Sequence, residues 1–187
     1  LTTMYTTDRL ILRAYDPADF PALHALLNNL SVQTSGTRNP VAPCAPSRTK
    51  SIVEKGFDPA FFHAIVTLRS SPDAFVGYTV LSQPTVAKNR DAKYSLAIMP
   101  EYQGQGYGSE VTRFVVDWGF KMGGLHRVWL GVFATNVAGI KVYEKCGFKK
   151  EGQWPKEHWV NGEWVDGVLM AVLDEDWEKE QAALKQK

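Results

Sequence analysis

Between residues 103 and 109 the chain reads Gln-Gly-Gln-Gly-Tyr-Gly-Ser, directly after an apolar β-type run and directly before a helical pattern. Alternating glycines let a backbone approach a ligand closely and turn its N–H groups toward it. At a helix start, the unpaired N–H groups and the helix dipole make an anion site suited to phosphate. Spacing discriminates between phosphate ligands. A dinucleotide fingerprint needs Gly-x-Gly-x-x-Gly, yet the frame from Gly104 ends on Ser109 and the frame from Gly106 ends on Val111. A P-loop needs Gly-Lys-Ser/Thr at its end, where this chain has Gly108-Ser109-Glu110. Neither fits. The pattern present is Gln-x-x-Gly-x-Gly, formed by Gln103, Gly106 and Gly108.

Asn136 and Tyr143 form a second constellation. They lie seven residues apart, two helical turns, and so share one face at about 10 Å along the axis. Helix N-capping accounts for Asn136 and core packing for Tyr143 on residue type alone. The two cysteines, Cys44 and Cys146, have no second cysteine or histidine at metal-ligand spacing, so no metal site is expected. They read as free thiols of a reducing compartment. His24 and His63 read as ordinary core or surface histidines, and His126 flanks a strand. Trp118 and Trp129 fit core positions. Trp154, Trp159 and Trp164 cluster around the last hairpin, where cross-strand packing and the wall of an acceptor pocket explain them equally.

Certain elements must position these groups. Arg9 to Arg13 reads as a first strand, and Asp16-Pro17 opens a helix with aspartate as N-cap, proline first and Asp19 in the first turn. Phe20, Leu23, His24, Leu27 and Leu30 make its apolar stripe. Ser31 to Ser47, polar with three prolines, reads as a long loop of the kind that often carries function. A short helix follows over Arg48 to Lys55, ended by Gly56. Phe61 to Leu68 and Ala74 to Leu81 read as antiparallel strands across a Ser-Ser-Pro-Asp turn, and Lys93 to Met99 as another strand. After the glycine loop, Val111, Phe114, Val115, Trp118 and Met122 mark the buried face of a helix that Gly123-Gly124 ends. Arg127 to Phe133 is a strand. Asn136 caps a helix to about Cys146, stopped by Gly147. Phe148 to Trp154 and Trp164 to Leu173 are two last strands around an Asn161-Gly162 turn, and a charged helical tail starts at Asp174. The sum is a mixed α/β domain.

Composition narrows the function classes. The chain has 187 residues, 44% hydrophobic and 22% charged, which excludes a mainly disordered chain and suits one domain over 1–187. Its formal charge of +1 leaves no electrostatic footprint for nucleic acid or an anionic membrane surface. No apolar run approaches the ~20 residues of a membrane span, and the first residues lack the apolar region of a signal peptide. A soluble, cytoplasmic protein is expected.

Several stretches agree, in order and spacing, with one family. The chain resembles the GCN5-related N-acetyltransferases (GNAT), whose loop for the pyrophosphate of coenzyme A has the Gln103–Gly108 form. Ala97-Ile-Met-Pro-Glu-Tyr102 before the loop is similar to that family, as is Leu130-Gly-Val-Phe-Ala-Thr-Asn136 leading into Tyr143-Glu-Lys-Cys-Gly-Phe148. Thr7-Asp-Arg-Leu-Ile-Leu-Arg13 and Asn161-Gly-Glu-Trp-Val-Asp166 resemble the branch of ribosomal-protein-alanine and polyamine acetyltransferases. Gly139 departs from the pattern, which usually has alanine or serine there; glycine costs ~1 kcal/mol relative to alanine in a helix and is expected to loosen it.

The resemblance implies a twisted, mostly antiparallel sheet of about six to seven strands, splayed at the cofactor strand and flanked by about four to five helices. It implies acetyl-CoA as cofactor, with Gln103, Gly104, Gln105, Gly106, Tyr107, Gly108 and Ser109 around its pyrophosphate. Leu96, Ala97 and Ile98 would offer backbone groups to its pantetheine arm, and Asn136 a hydrogen bond. Tyr143 would be the catalytic general acid, because a phenol near the sulfur can protonate the departing thiolate. The implied reaction is direct attack of a primary amine, with a small-molecule amine, a polyamine or a protein N-terminus as acceptor partner. Asp166, His158, Glu144, Tyr94 and Ser95 are candidate bases, and the segment 31–56 would shape the acceptor site. The alternative is a catalytically silent acyl-CoA sensor or scaffold. Homodimerisation is left open.

Overall fold

Runs of β-branched and aromatic residues set the strands, and the helices sit where apolar residues recur at helical spacing. The computed structural model describes residues 4–84 and 86–185. Eight strands form one sheet in the order β1-β2-β3-β4-β5-β6-β8-β7. They are β1 (Tyr5–Thr6), β2 (Leu10–Arg13), β3 (Phe62–Leu68), β4 (Phe75–Leu81), β5 (Asp91–Ile98), β6 (Arg127–Phe133), β7 (Lys149–Val160) and β8 (Glu163–Leu173). Six α-helices accompany them: α1 (Phe20–Leu27), α2 (Leu30–Gly36), α3 (Pro46–Ile52), α4 (Tyr107–Lys121), α5 (Val137–Glu144) and α6 (Asp174–Lys185). Both counts exceed the expectation by one, through the two-residue β1 and through α2.

All neighbouring strands are antiparallel except β5 and β6. That parallel pair holds together only at Asp91↔Arg127, Ala92↔Val128 and Lys93↔Trp129. Beyond Lys93, β5 keeps its register with β4 from Leu81↔Tyr94 to Gly77↔Ile98. Beyond Trp129, β6 stays with β8 as far as Phe133↔Gly167. The sheet therefore forks, and each prong is stabilised by its outer neighbour.

Helix α4 lies across one face. Val111, Val115 and Val116 are buried against Val76, Leu81, Ala92 and Val128. Leu23, Phe57 and Ile65 centre a smaller core beneath α1. A buried, bidentate pair fixes the entry to α1: both Arg13 guanidinium Nη atoms donate to the Asp19 carboxylate at 2.7 Å. Asp16 caps the turn as expected, accepting from Ala18 N at 2.8 Å, although the first turn is a 3-10 turn over Pro17–Asp19.

Three readings of the sequence need correction. Leu30 is 67% exposed because the chain breaks at Asn28 and Asn29 caps a new helix, accepting from Ser31 N and Val32 N. The segment Ser31 to Ser47 is accordingly not all loop: its first part is α2, and α3 already begins at Pro46. Met122 is 72% exposed because α4 ends at Lys121 before its stripe returns to the core.

Candidate active site

The fork between β5 and β6 opens into a cleft of about 810 Å³, which also runs between the start of α4, the face of α5 and the α2 segment. One end is glycine-built. Gly104 and Gly106 have φ of +73° and +85°, the left-handed region that L side chains rarely adopt. The Gln103 side-chain amide donates to Ile98 O at 2.9 Å and ties the loop to the end of β5. Gly106 is the N-cap of α4, and no side chain caps that helix. The N–H groups of its first turn are thus left for an outside acceptor. A Cβ on Gly108 would meet Leu96, Ile98 and Val142 at 3.6–3.7 Å, so β5, α4 and α5 converge at this residue.

Arg9 braces the loop from outside. Its guanidinium donates to Gln105 O at 2.9 Å and to Glu110 at 2.7 Å, and lies 4.5 Å from the centre of the Tyr107 ring. Although burial works the other way, hydrogen bonds from Thr7 and from Arg9 hold the Glu110 carboxyl below its ordinary range. Sequence reasoning missed this brace; nothing in the spacing of Arg9 and Glu110, far apart in the chain, announces it.

Of the residues singled out around the loop and the helix, all but Gln105 and Tyr107 line the cleft. The Gln105 side chain donates to Glu101 O at 2.7 Å, and Tyr107 stands edge-on to Tyr102 beneath Arg9. Leu96, Ala97 and Ile98 lie on the prong of β5 that has left β6. Asn136 accepts from Gly139 N at 2.9 Å and donates to Ser35 O at 3.2 Å, so it caps α5 and fastens it to α2. A Cβ at residue 139 would sit 2.9 Å from the Asn136 amide, which explains the glycine there as room for the folded-back cap. Tyr143 stands edge-on to Tyr94 with centroids 6.2 Å apart. Burial, aided by the nearby Cys146, pushes its hydroxyl up to about 12, so it stays protonated across the physiological range.

The five candidate bases separate. Asp166 accepts from Lys156 N and the Gln153 side chain outside the cleft, and these bonds hold its carboxyl below the ordinary range. Glu144 is exposed and also outside the cleft. Tyr94 lines it, but burial raises its hydroxyl strongly and Thr112 bonds it at 3.0 Å. Ser95 and His158 line it as well; the imidazole Nε2 is 2.9 Å from Glu157, and its ring packs 4.6 Å from that of Phe133.

Trp154, Trp159 and Trp164 are exposed at 44%, 61% and 57% and do not line the cleft. Trp159 and Trp164 are register partners that pack across the strands with centroids 5.3 Å apart, whereas Trp154 lies opposite Gly167. Both cysteines are free and buried. Burial raises the Cys146 thiol to about 11, and its Sγ contacts Ser109 O, which suits packing rather than nucleophilic attack. Among the described residues no cluster could hold a metal ion, and no helix is long and apolar enough to cross a membrane.

Residues 9–149 match the acetyltransferase (GNAT) domain. The chain belongs to that family. It is 33% identical over 85 residues to spermidine N(1)-acetyltransferase of Vibrio cholerae, covering 46% of this chain and 49% of that protein. It is 26% identical over 172 residues to the uncharacterized N-acetyltransferase YnaD of Bacillus subtilis, covering 92% and 98%. Its fold matches the crystal structure of spermidine N-acetyltransferase from Vibrio cholerae in complex with CoA and spermine, with a TM-score of 0.80 and 24% identity over 92% of this chain and 99% of that one. The chain spans about half the length of the spermidine acetyltransferases that it matches in sequence. The mostly antiparallel sheet matches the GNAT fold that the family resemblance implied.

Proposed function

We propose that this GNAT chain is an acetyl-CoA-dependent N-acetyltransferase of primary amines, working in the cytoplasm by direct attack. The observation that carries the reading is the meeting, in one cleft, of an uncapped helix start behind Gly104 and Gly106, the free edge of β5, and Tyr143. The residues fit the cofactor. The α4 amides and the loop suit a pyrophosphate, and Leu96, Ala97 and Ile98 offer strand backbone that β6 does not use. Bound acetyl-CoA supplies an acyl group activated as a thioester.

The chain's own residues then manage two protons. Tyr143, protonated because burial holds its hydroxyl high, stores the proton that the leaving thiolate takes up. His158 is the candidate that both lines the cleft and carries a basic side chain, so it is assigned to receive the proton of the attacking amine. Glu157 orients its ring through Nε2 and balances the imidazolium that results. Cys146 forms no covalent intermediate in this scheme.

The test is a mass-spectrometric screen of amines with acetyl-CoA for a gain of one acetyl group, run beside thermal melting with CoA. Transfer and a raised midpoint are expected, since a ligand of the folded state stabilises by mass action. A raised midpoint without transfer to any amine would favour the silent sensor. No shift at millimolar cofactor removes the reading altogether.

A further inference from the structure

The charged side chains that line the cleft are all cations: Arg38, Arg48, Lys93, Lys141 and Lys145 line it, and among the described residues no aspartate or glutamate does. The residues outside the described set contain no acidic residue either. Four of these cations fall into two groups. Lys141 and Lys145 belong to the α5 segment that meets the glycine loop through Val142 and Gly108, where cofactor phosphates account for them. Arg38 and Lys93 sit at the root of the fork. Lys93 is the last β5 residue paired with β6, and the Arg38 guanidinium lies so close over Gly131 that a Cβ there would be 2.7 Å from Nη2.

Neither Arg38, Arg48 nor Lys93 is ion-paired with a carboxylate among the described residues. Glu157 stands behind His158, and Asp91 accepts at 3.0 Å from the indole of Trp129, over whose ring the Lys93 ammonium lies at 5.9 Å. Burial first, and the Arg38 charge second, depress the Lys93 ammonium below its ordinary value. Two like charges held together without a counter-ion destabilise the free protein and favour any anion that enters.

We infer that the acceptor amine of this enzyme carries an anionic oxygen group, carboxylate or phosphate, which Arg38 and Lys93 bind, and that polyamines are poor acceptors. This rests on the acetyltransferase reading. A guanidinium offers its forked donors to either oxyanion, and an ammonium adds a point charge. A second ammonium of a polyamine meets no carboxylate in the cleft and two cations at its root. The inference parts company with the spermidine acetyltransferases to which the chain is similar.

The test uses matched short amines: 3-aminopropanoate and 2-aminoethyl phosphate as the two anionic arms, propylamine as the neutral one, and 1,3-diaminopropane and spermidine as the cationic ones. Each is titrated calorimetrically into the full chain, with and without saturating CoA, and each is assayed with acetyl-CoA. Tighter binding of at least one anionic arm is expected, with kcat/KM about 10-fold or more above propylamine and further above the diamines. The better anionic arm identifies the oxyanion. Arg38→Gln should raise KM for it about 10-fold and shrink its kcat/KM advantage over propylamine by about as much. Equal or tighter binding of the diamines overturns the inference, and so does an absence of binding by every anionic arm. An unchanged KM in Arg38→Gln overturns the role of that residue. Failure of CoA itself to bind is a separate result, which removes the acetyltransferase reading while the CoA-free titrations still read the charge preference of the cleft.

Discussion

At the glycine end of the cleft the recognising groups are backbone amides held by Gly104 and Gly106; at the root of the fork they are the side chains of Arg38 and Lys93. The first end is made within one short stretch of chain, so its geometry depends on local φ values and one helix start. The second is assembled from the segment after α2 and from β5, far apart in the chain and brought together across Gly131 of β6. A site of backbone donors accepts a shared, invariant chemical group. A site of side chains is free to change its acceptor without disturbing the first. The split is what lets one fold keep a cofactor and vary an amine, and it gives each end its own way to fail.

The largest effect is expected from Gly106→Val. The residue has φ of +85°, and its added Cβ would lie 3.3 Å from Arg9 Nη2, so both the loop and its brace are strained. CoA affinity should fall roughly 100-fold or more, about 2.7 kcal/mol, by calorimetry. Gly108→Ala is the control: it has ordinary helical backbone, its methyl group would make ordinary van der Waals contacts at 3.6–3.7 Å, and it should leave affinity within a few-fold. Equal losses in the two variants would mean that the loop is not the binding element.

Tyr143→Phe separates chemistry from binding at the same end. With the hydroxyl removed and the ring kept, kcat should fall ~10²-fold while CoA affinity barely moves. The sign of the pH dependence follows from the raised value. The hydroxyl can donate below about 12, so no alkaline loss attributable to it is expected near its ordinary value of 10. The defect of the variant should shrink only as the wild-type phenol ionises near 12. A wild-type rate in the variant, with chemistry limiting, ends the assignment.

The contrast between the ends also explains what could be read from residues alone. Glycine spacing, the Asn136 cap and the bounds of β6 are local and legible, whereas β7 runs on to Val160, beyond the Trp154 expected as its end. The Asn161-Gly162 turn was equally legible, since both residues take positive φ. Helix α2 was not, because none of its residues is buried and it carries no stripe to recognise. The fork was visible only through family likeness. Each prong is satisfied by β4 or by β8, so nothing in the composition of β5 or β6 marks where their pairing stops. Arg38 was invisible for the same reason as Arg9: its role depends on a neighbour, Gly131, far along the chain.

Gly131→Ala probes the root of the fork without touching a charge. The methyl group would displace the Arg38 guanidinium, which lies where the Cβ must go. KM for the preferred amine should rise about fivefold, with CoA affinity and melting midpoint unchanged within error. A parallel loss of CoA affinity would show that the two ends are not independent.

Asn136 joins the ends, and here the effect should be smallest. Its carbonyl oxygen caps α5 and its amide holds Ser35 O of α2, so the two bonds can be removed separately. Asn136→Asp keeps an oxygen for the cap, and aspartate caps as well as asparagine, but it sets one oxygen against another at Ser35. Asn136→Ala loses both bonds. Each variant should cost about 1 kcal/mol of stability, roughly a fivefold change in the folded ratio. Hydrogen exchange tells them apart: amides of α2 should exchange faster in both, and those at the start of α5 only in the alanine variant. If α2 exchange is unmoved in both, Asn136 is a helix cap alone. The acceptor end is then held by the sheet, without a tether to the cofactor end.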